Sequence, residues 1–384
     1  MKEGWTYKKL GEVCRVLNGL WIGKKEPFVN IAVIRNTNFS KDCKLKLDDV
    51  AYIDAEERQF ATRKLQVGDI IIEKSGGSDK QPVGRPVLFN IPDGDYSFSN
   101  FTAALRLIDN SISPVFLHYC LYGHYRNGET KRMQSKTTGL HNLDMKAYLR
   151  LPIPNFSLSE QEHIVSELDL LSGIIEKKKA QLNEYDKLTQ SIFYDMFGDP
   201  ITNEKGWEVK KLDEVSTLIN GRAYKQDELL NEGKYKVLRV GNFFTNSNFY
   251  YSDLELDDNK YCDNGDLLFA WSASFGAFIW GGEKVIYHYH IWKVLYDEQQ
   301  LNKLFYCYLL NTMTNAFMND VHGIGMVHLT KQGMEQYNLP LPPLSLQQSF
   351  AEKIEAIEKQ KALVQQSISE TQTLFDSTMD KYFG

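Results

Sequence analysis

The sequence predicts an α+β protein with two mixed α/β domains that are related by a pseudo-two-fold axis. Two long antiparallel coiled-coil helices are predicted to join them. Three observations lead to this prediction. The chain has 384 residues, which is long for one hydrophobic core. Its opening motif recurs in the second half of the chain, and each copy ends in a long polar segment with helical periodicity.

The internal repeat runs the length of the chain. "GWTYKKLGEVCRVLNG" (4–19) and "GWEVKKLDEVSTLING" (206–221) agree at nine of sixteen positions. The later matches keep the same order, and they are "VIRNTNF" (33–39) with "VLRVGNF" (237–243), "VGDIIIEKS" (67–75) with "NGDLLFAWS" (264–272), and "LPIPNFSL" (151–158) with "LPLPPLSL" (339–346). We therefore predict a domain at 1–158, a helix at 159–198, a domain at 199–345 and a helix at 346–384.

Both domains carry short segments of each secondary structure. Apolar, β-branched or aromatic runs bounded by Gly, Asp and Asn predict strands at "DIIIEKS", "AALRLI", "DLLFAWS" and "HIWKVLY". The runs "VFLHYCLYG" and "KLFYCYLLNTM" predict short buried helices. Proline in "LPIP" and "LPLPPL" prevents a helix or a central strand, so these motifs mark the end of each domain.

The polar segments predict the two long helices. Ser159 in "SEQE" is a candidate helix cap, with Glu162 three residues later. Apolar residues then recur at alternating spacings of four and three, which is typical of a coiled-coil seam. Each seam also contains a lysine, Lys178 or Lys361. An amphipathic helix lying on its own domain is the alternative. The seam residues are Ile164, Leu168, Leu171, Ile175, Leu182 and Ile192 in the first helix, and Phe350, Ile354, Ile357, Val364, Ile368 and Phe375 in the second.

Composition excludes several classes of protein. No apolar run approaches a membrane helix and the start has no apolar signal core, so we expect a cytoplasmic protein. The five cysteines lack any CxxC spacing, which argues against a zinc site and a disulfide framework. The net charge of −6 conceals an asymmetry. Residues 1–158 have 23 Lys and Arg against 17 Asp and Glu, whereas residues 199–345 have 13 against 19. The first domain is therefore better suited to a polyanion.

Catalytic motifs are scarce in this sequence. "GLWIGKK" (19–25) is too short for a P-loop and lacks the Ser or Thr that follows its lysine. His288 and His290 fall on one face of a predicted strand, but two histidines do not make a zinc site, so we predict no metal here. No GxGxxG, GxSxG or HExxH is present, nor the Asn/Asp-Pro-Pro-aromatic tetrad of amino-methyltransferases.

Both domains do contain loops that mix basic, amide and small residues. Such side chains suit base edges and phosphates. Matched loops recur in the two domains with different sequences, which favours two related sites that read different targets. The candidate DNA-contacting residues are Lys24, Lys25, Arg35, Asn36, Asn38, Lys74, Ser75, Arg85, Lys136, Thr138 and His141 in the first domain, and Arg222, Tyr224, Lys225, Arg239, Asn242, Ser272, Ser274, His290, His322 and His328 in the second.

This order of motifs resembles the specificity subunit of type I restriction–modification systems. The resemblance covers essentially the whole chain, through the two openings, "VLRVGN", "GDLLFAWSASFG" and the two proline motifs with their helices. It implies two target recognition domains that each read half of a split double-stranded DNA sequence. It also implies a non-catalytic chain, without cofactors of its own, that recruits two modification (methyltransferase) subunits using S-adenosylmethionine and restriction subunits using ATP and Mg²⁺.

Two alternatives remain open at this point. One is the equivalent subunit of a related two-part restriction–methylation enzyme. The other is a pseudo-dimeric coiled-coil scaffold that binds proteins only. One departure from the family pattern is that the second proline motif continues "LSLQQSF", where the first keeps Ser159, Glu160 and Gln161.

Overall fold

The computed structural model describes residues 4–21, 23–137, 139–272, 274–319 and 330–384. The chain forms two compact units, Met1–Lys179 with Gln366–Gly384, and Ala180–Gln365. Each unit therefore contains part of both long helices. The four segment boundaries given above stay a prediction.

The first unit alternates short strands and short helices before its long helix. Its strands are β1 (Tyr7–Lys9), β2 (Cys14–Asn18), β3 (Phe28–Ile34), β4 (Ala51–Glu56), β5 (Ile70–Glu73), β6 (Ser75–Gly77), β7 (Pro86–Leu88), β8 (Tyr96–Phe98), β9 (Thr102–Leu107), β10 (Gln134–Thr137), β11 (Leu140–Leu143) and β12 (Pro152–Pro154). Its helices are α1 (Leu10–Val13), α2 (Glu57–Arg63), α3 (Pro114–Arg126), α4 (Met145–Tyr148) and the beginning of α5 (Leu158–Phe197).

The second unit repeats this order with small changes. Its strands are β13 (Glu208–Lys211), β14 (Ser216–Asn220), β15 (Tyr235–Leu238), β16 (Tyr250–Ser252), β17 (Tyr261–Cys262), β18 (Leu267–Ser272), β19 (Ser274–Ile279), β20 (Val285–Tyr287), β21 (Ile291–Tyr296) and β22 (Asn338–Leu341). Its helices are α6 (Leu212–Val215), α7 (Val240–Thr245), α8 (Lys303–Thr312), α9 (Thr314–Asn319), α10 (Lys331–Glu335) and the beginning of α11 (Leu344–Phe383). The predicted strands and both predicted short helices are confirmed.

The sheets show that the two units share one topology. The order β2-β9-β5-β7 in the first unit corresponds to β14-β21-β18-β19 in the second. Each unit has a second sheet, β4-β3-β8 or β16-β15-β20-β17, and it contains a parallel pair, β3 with β8 or β15 with β20. In the first unit β10, β11 and β6 form a further sheet. The sequence repeat is therefore also a repeat of the fold.

The repeated "GD" dipeptide forms the same turn in each unit. Gly68 and Gly265 adopt φ values of +96° and +91°, which favour glycine. The aspartate that follows caps this turn, since Asp69 accepts from the Gln66 N–H at 2.8 Å and Asp266 from the Asp263 N–H at 2.7 Å. Asp69 is also paired with Arg106, as Asp266 is with Lys293. The motif therefore has a structural role.

The two proline motifs form strands that pair with the repeated openings. β1 pairs antiparallel with β12, and β13 pairs antiparallel with β22. Each is a two-stranded sheet in which proline is tolerated, because no central strand needs its missing N–H. The opening motif and the closing motif of each repeat are thus hydrogen-bonded to each other as paired strands, which explains why they recur together.

The long helix α5 begins earlier than the sequence suggested. It starts at Leu158, and the capping residue is Ser157 and not Ser159. The Ser157 N–H donates to Glu160 Oε2 at 2.8 Å and the Glu160 N–H donates to Ser157 Oγ at 3.3 Å. The reason for this correction is that "SLSE" offers the same Ser-x-x-Glu box as the predicted one, two residues earlier.

The two 40-residue helices run antiparallel, as predicted. In the first unit Tyr382 donates to Glu167 at 3.0 Å, and Lys178 donates to Ser367. In the second unit the Lys361 ammonium lies 2.8 Å from Asp186. As the position on α5 advances from Glu167 to Lys178 and Asp186, its partner on α11 moves back from Tyr382 to Ser367 and Lys361, which is the antiparallel order. Each seam lysine is half-buried and bonds to a polar group of the opposite helix.

The seam residues account for most of this packing. Phe350, Ile354 and Ile357 also join the core of the second unit with Phe305 of α8. The helix start therefore packs on its own domain as well, so part of the alternative interpretation holds. Those seam residues that are buried are Ile164, Leu168, Leu171, Ile175, Phe350, Ile354, Ile357, Ile368 and Phe375, and those that are half-buried are Leu182, Ile192 and Val364.

Candidate nucleic-acid interface

The repeated "NG" at the end of each opening brings two backbone segments into close contact. A Cβ atom on Gly19 would lie 1.9 Å from the Ser99 oxygen, and one on Gly221 would lie 2.4 Å from the His288 oxygen. Neither distance is compatible with a side chain. Glycine is therefore required here, because the backbone just after β2 or β14 runs directly against the loop before β9 or β21.

This contact creates an equivalent surface in each unit, which we call the recognition surface. In the first unit it consists of Asn18, Lys74 and Phe101, and in the second of Asn220, Trp271 and His290. The Lys74 N–H donates to the Phe101 oxygen at 2.9 Å, and the Trp271 N–H donates to the His290 oxygen at 3.1 Å. The backbone is thus alike in the two units while the side chains differ.

A basic residue that the sequence analysis missed anchors this surface in each unit. Arg63 Nε donates to the Asn18 oxygen at 3.1 Å, and Lys260 Nζ donates to the Asn220 oxygen at 2.8 Å. Arg63 ends α2, and Lys260 ends the 3-10 turn Asp258–Lys260. Both lie five residues before the Gly of the "GD" turn, and this shared spacing is the sequence signal that would have identified them.

Acidic residues hold the predicted basic loops in place. In the first unit the N–H groups of Lys24 and Lys25 donate to Glu56 Oε1 at 2.7 and 2.9 Å, and the two lysine side chains point outward and are exposed. Arg58 and Arg63 lie beside this loop, and they line a cavity of about 290 Å³ with Lys25, Glu26 and Glu56. The loop therefore presents a group of cations to solvent.

The corresponding loop of the second unit is nearly neutral. Arg222 makes a two-pronged ion pair with Glu228, at 2.8 and 2.7 Å, and its guanidinium lies over the Tyr224 ring. Hydrogen bonds from Arg222 and from the Lys225 N–H lower the pKa of Glu228 to about 2. The Lys225 side chain of this loop is exposed. The charge difference predicted between the domains thus recurs locally.

Five predicted DNA-contacting residues are buried, and three of them hold the protein's own backbone. Asn38 accepts the Arg35 N–H at 2.9 Å, and Asn242 accepts the Arg239 N–H at 2.8 Å. The Arg85 guanidinium is 4% exposed, pairs with Glu73 and donates to backbone oxygens. Each of the three is almost fully buried and bonds to the protein itself. We therefore reassign them as positioning residues for the loops above them.

Neighbouring candidates in the first unit are partly engaged. Arg35 donates to Asp49, and Asn36 donates to the Ser75 oxygen at 2.6 Å, which places Asn36 and Ser75 next to Lys74. Lys136 is exposed on the β10–β11 hairpin, whereas His141 on the same hairpin is buried beside Asp79. The hairpin joins the recognition surface because β11 pairs with β6.

In the second unit the two histidines that were predicted to lie on a strand belong to a cluster of aromatic rings in a loop. His288 and His290 lie between β20 and β21, and not within a strand as we predicted, because the chain turns there to reach the sheet. Their rings are 4.8 Å apart. Burial, together with the neighbouring His290 and Arg239, lowers the pKa of His288 to about 4, so its imidazole is neutral at pH 7.

The remaining candidates are distributed as follows. Arg239 is exposed over the Tyr250 ring, Ser272 is buried and Ser274 is half-buried. Thr138, His322 and His328 lie outside the described residues. Within the described part of the chain, no group of three or more His, Cys, Asp or Glu side chains is placed to hold a metal ion. All five cysteines are free and buried.

No helix among the described residues combines the length and apolar character that crossing a membrane requires.

Comparison with known proteins agrees with this duplicated architecture. The type I restriction modification DNA specificity domain matches the chain twice, over residues 2–184 and 204–372. The StySPI specificity subunit of Salmonella potsdam, a type I restriction enzyme subunit, is 24% identical over 427 residues, covering 100% of this chain and 89% of its own.

Two solved structures share the fold. The type I restriction-modification S subunit from M. genitalium superposes with a TM-score of 0.55 at 13% identity, covering 100% of this chain and 98% of that one. A chain from a study of complex assembly and conformational transition in the type I R-M system gives 0.62 at 16% identity, with the same coverage. With two matches that span most of its length, this chain belongs to the type I restriction modification DNA specificity domain family.

Proposed function

We propose that this chain reads a bipartite DNA target as the specificity subunit of a type I restriction–modification complex, with one half-site for each unit. The observation that carries the proposal is the recognition surface, which has the same backbone contacts in both units and different side chains. A duplicated frame with diverged side chains suits a protein that reads two unlike half-sites with one geometry.

The electrostatics of the two units support a division of labour with partner subunits. The first unit presents Lys24, Lys25 and Arg58 as exposed cations, whereas the loop of the second unit pairs Arg222 with Glu228. Residues 199–345 also have more acidic than basic residues. We infer that the second unit binds DNA together with a basic surface of a modification subunit, since phosphate contacts supply most of the affinity for DNA.

The chain itself takes a non-catalytic role in this proposal. The reactions belong to two modification subunits that bind S-adenosylmethionine and to restriction subunits that use ATP and Mg²⁺. This chain supplies the sequence choice and the helical frame. Its candidate residues are hydrogen-bond donors, acceptors and packing groups, and recognition of DNA requires no other chemistry from them.

The test is to express the chain with its modification subunit and to sequence the methylated DNA of the host. We expect one methylated motif with two specific halves separated by a non-specific gap. A mobility shift at several salt concentrations, with and without the modification subunit, measures the DNA contact directly. A complex that assembles but binds no DNA and methylates no motif would identify a protein-binding scaffold instead.

A further inference from the structure

Residues 74 and 271 occupy one position in the two units. In the first unit Glu73 pairs with Thr102 across β5 and β9, and in the second Ala270 pairs with Ile291 across β18 and β21. The next residue is Lys74 or Trp271, the first one beyond the pairing with β9 or β21. Lys74 follows the end of β5, whereas Trp271 is still within β18 and pairs with Phe275 of β19. Lys74 Nζ approaches Asn18, which ends β2, and Trp271 lines a cavity together with Asn220, which ends β14. Both side chains belong to the recognition surface.

The Lys74 ammonium is a hydrogen-bond donor that is partly shielded from water. Its Nζ lies 3.4 Å from Asn18 Oδ1, a long and weak contact. Among the described residues no carboxylate forms an ion pair with it, and burial lowers the pKa of its ammonium. An ammonium that has lost part of its water and has no counter-ion gains from meeting acceptors. The major-groove edge of guanine offers two of them, N7 and O6.

The chemistry of Trp271 is apolar at the same place. Its Nε1–H donates to the Tyr289 oxygen at 2.9 Å, and its ring stacks on Trp292 at 5.6 Å. With this donor engaged inside the protein, the indole meets a ligand mainly through carbon atoms. A cavity of about 410 Å³ lies against it, lined also by Asn220, His290 and Lys331. In the major groove the apolar group that such a surface can select is the thymine methyl.

We infer that positions 74 and 271 determine base specificity in the two half-sites. Lys74 reads a guanine in the half-site of the first unit, and Trp271 packs on a thymine methyl in the half-site of the second. This inference rests on the proposed function, since it names the bases at the surface where DNA binding was proposed.

The experiment measures binding of the complex of this chain with its modification subunits to duplexes that carry the methylated motif. Guanines of the first half-site are replaced one at a time by 7-deazaguanine, which lacks the N7 acceptor. Thymines of the second are replaced by uracil, which lacks the methyl. We expect one guanine whose replacement weakens wild-type binding by roughly tenfold and leaves Lys74→Met unaffected, and one thymine with the same relation to Trp271→Ala.

Two further measurements keep the test decisive. Lys74→Arg keeps the donor and should retain sensitivity to the same guanine, even if Lys74→Met binds too weakly to measure. A first half-site without guanine, or equal losses in wild type and Lys74→Met, overturns the assignment of Lys74. A wild-type complex that ignores every uracil overturns that of Trp271. A wild-type complex that binds no bipartite duplex at all contradicts the proposed function instead.

Discussion

Gln161 and Gln347 lie at equivalent positions near the starts of α5 and α11, and each makes the same three hydrogen bonds. Gln161 accepts the Ser113 N–H and donates to the oxygens of Ser111 and Phe156, at 2.7 to 2.9 Å. Gln347 accepts the Asn302 N–H and donates to the oxygens of Gln300 and Pro342, at 2.8 to 2.9 Å. Both side chains are fully buried. The glutamine thus ties each long helix to the loop before α3 or α8.

We predict that this tie is important for stability in both units. Replacing Gln161 or Gln347 by Leu leaves a backbone N–H and two carbonyl oxygens buried without partners, at a cost of about 1–3 kcal/mol each. The midpoint of urea unfolding should fall clearly in either variant. Gln365→Leu, on the exposed face of α11, is the matched control and should leave the midpoint close to wild type. Equal midpoints in the wild type and all three variants would show that neither glutamine contributes to stability.

The two "NG" glycines should tolerate no side chain. Gly19→Ala and Gly221→Ala place a methyl against backbone oxygens at 1.9 and 2.4 Å, so the backbone must move. We expect a loss of about 1–3 kcal/mol in the free energy of unfolding, as for overpacking elsewhere. Gly173→Ala in α5 has nothing within 4 Å and should be neutral or stabilising. The measurement is the thermal unfolding midpoint of the three variants. A Gly19→Ala protein as stable as wild type would contradict the prediction.

The exposed cations of the first unit should contribute to DNA affinity without affecting sequence choice. In the triple variant Lys24→Ala, Lys25→Ala, Arg58→Ala we expect weaker binding and a shallower dependence on salt, by ~0.9 in the log–log slope for each lost phosphate contact. The motif that becomes methylated should be unchanged. A charge-matched triple variant at Lys177, Lys353 and Lys359, which are exposed on the long helices, is the comparison. Identical slopes in both variants would place the loop outside the interface.

His124 should make the first unit less stable at alkaline pH. Burial alone would lower the pKa of His124, but its hydrogen bonds with Cys120 and Glu129 raise it to about 10. Both ring nitrogens have acceptors, Glu129 and the Pro152 oxygen, each at 2.9 Å, as an imidazolium requires. Because the folded pKa lies above the unfolded value of ~6.5, this stabilisation is complete below that pH and disappears towards pH 10.

The measurement is the free energy of unfolding from pH 6 to pH 10 for wild type and His124→Gln. The difference between the two should shrink as the pH rises. The two proteins differ at position 124 alone, so the pH dependence of the difference reports on the histidine and its partners. A difference that stays constant over this range would show that the histidine is neutral in the folded state.

Much of the fold was predictable because the sequence repeats itself. Matching the two halves identified the duplicated domain, and the alternating spacing of four and three identified both long helices. Their antiparallel packing followed from the two-fold relation between the repeated units. The helix start was misplaced because Ser157 and Ser159 each begin a Ser-x-x-Glu pattern, and the sequence alone does not choose between them, whereas the structure shows the Ser157 box. The apparent departure in the second motif has a similar explanation. Leu346 replaces Glu160, and the buried glutamine is kept.

The candidate site was less accessible to sequence reasoning. Arg85, Asn38 and Asn242 have the chemistry of DNA-contacting residues, but a side chain's burial depends on which loops pack over it. Arg63 and Lys260 were missed because they approach the recognition surface from a separate element, on α2 and on a 3-10 turn. Residue type predicts what a group can bind, whereas its neighbours in space decide whether it is available.

The central claim is that each unit reads its own half of the target, and exchange of one unit tests it most directly. Residues 1–150 are replaced by the corresponding segment of a relative with a different target, and the methylated DNA of a host carrying the complete system is sequenced. We predict a motif in which one half takes the relative's sequence and the other half is unchanged. A motif in which both halves change together would contradict the account.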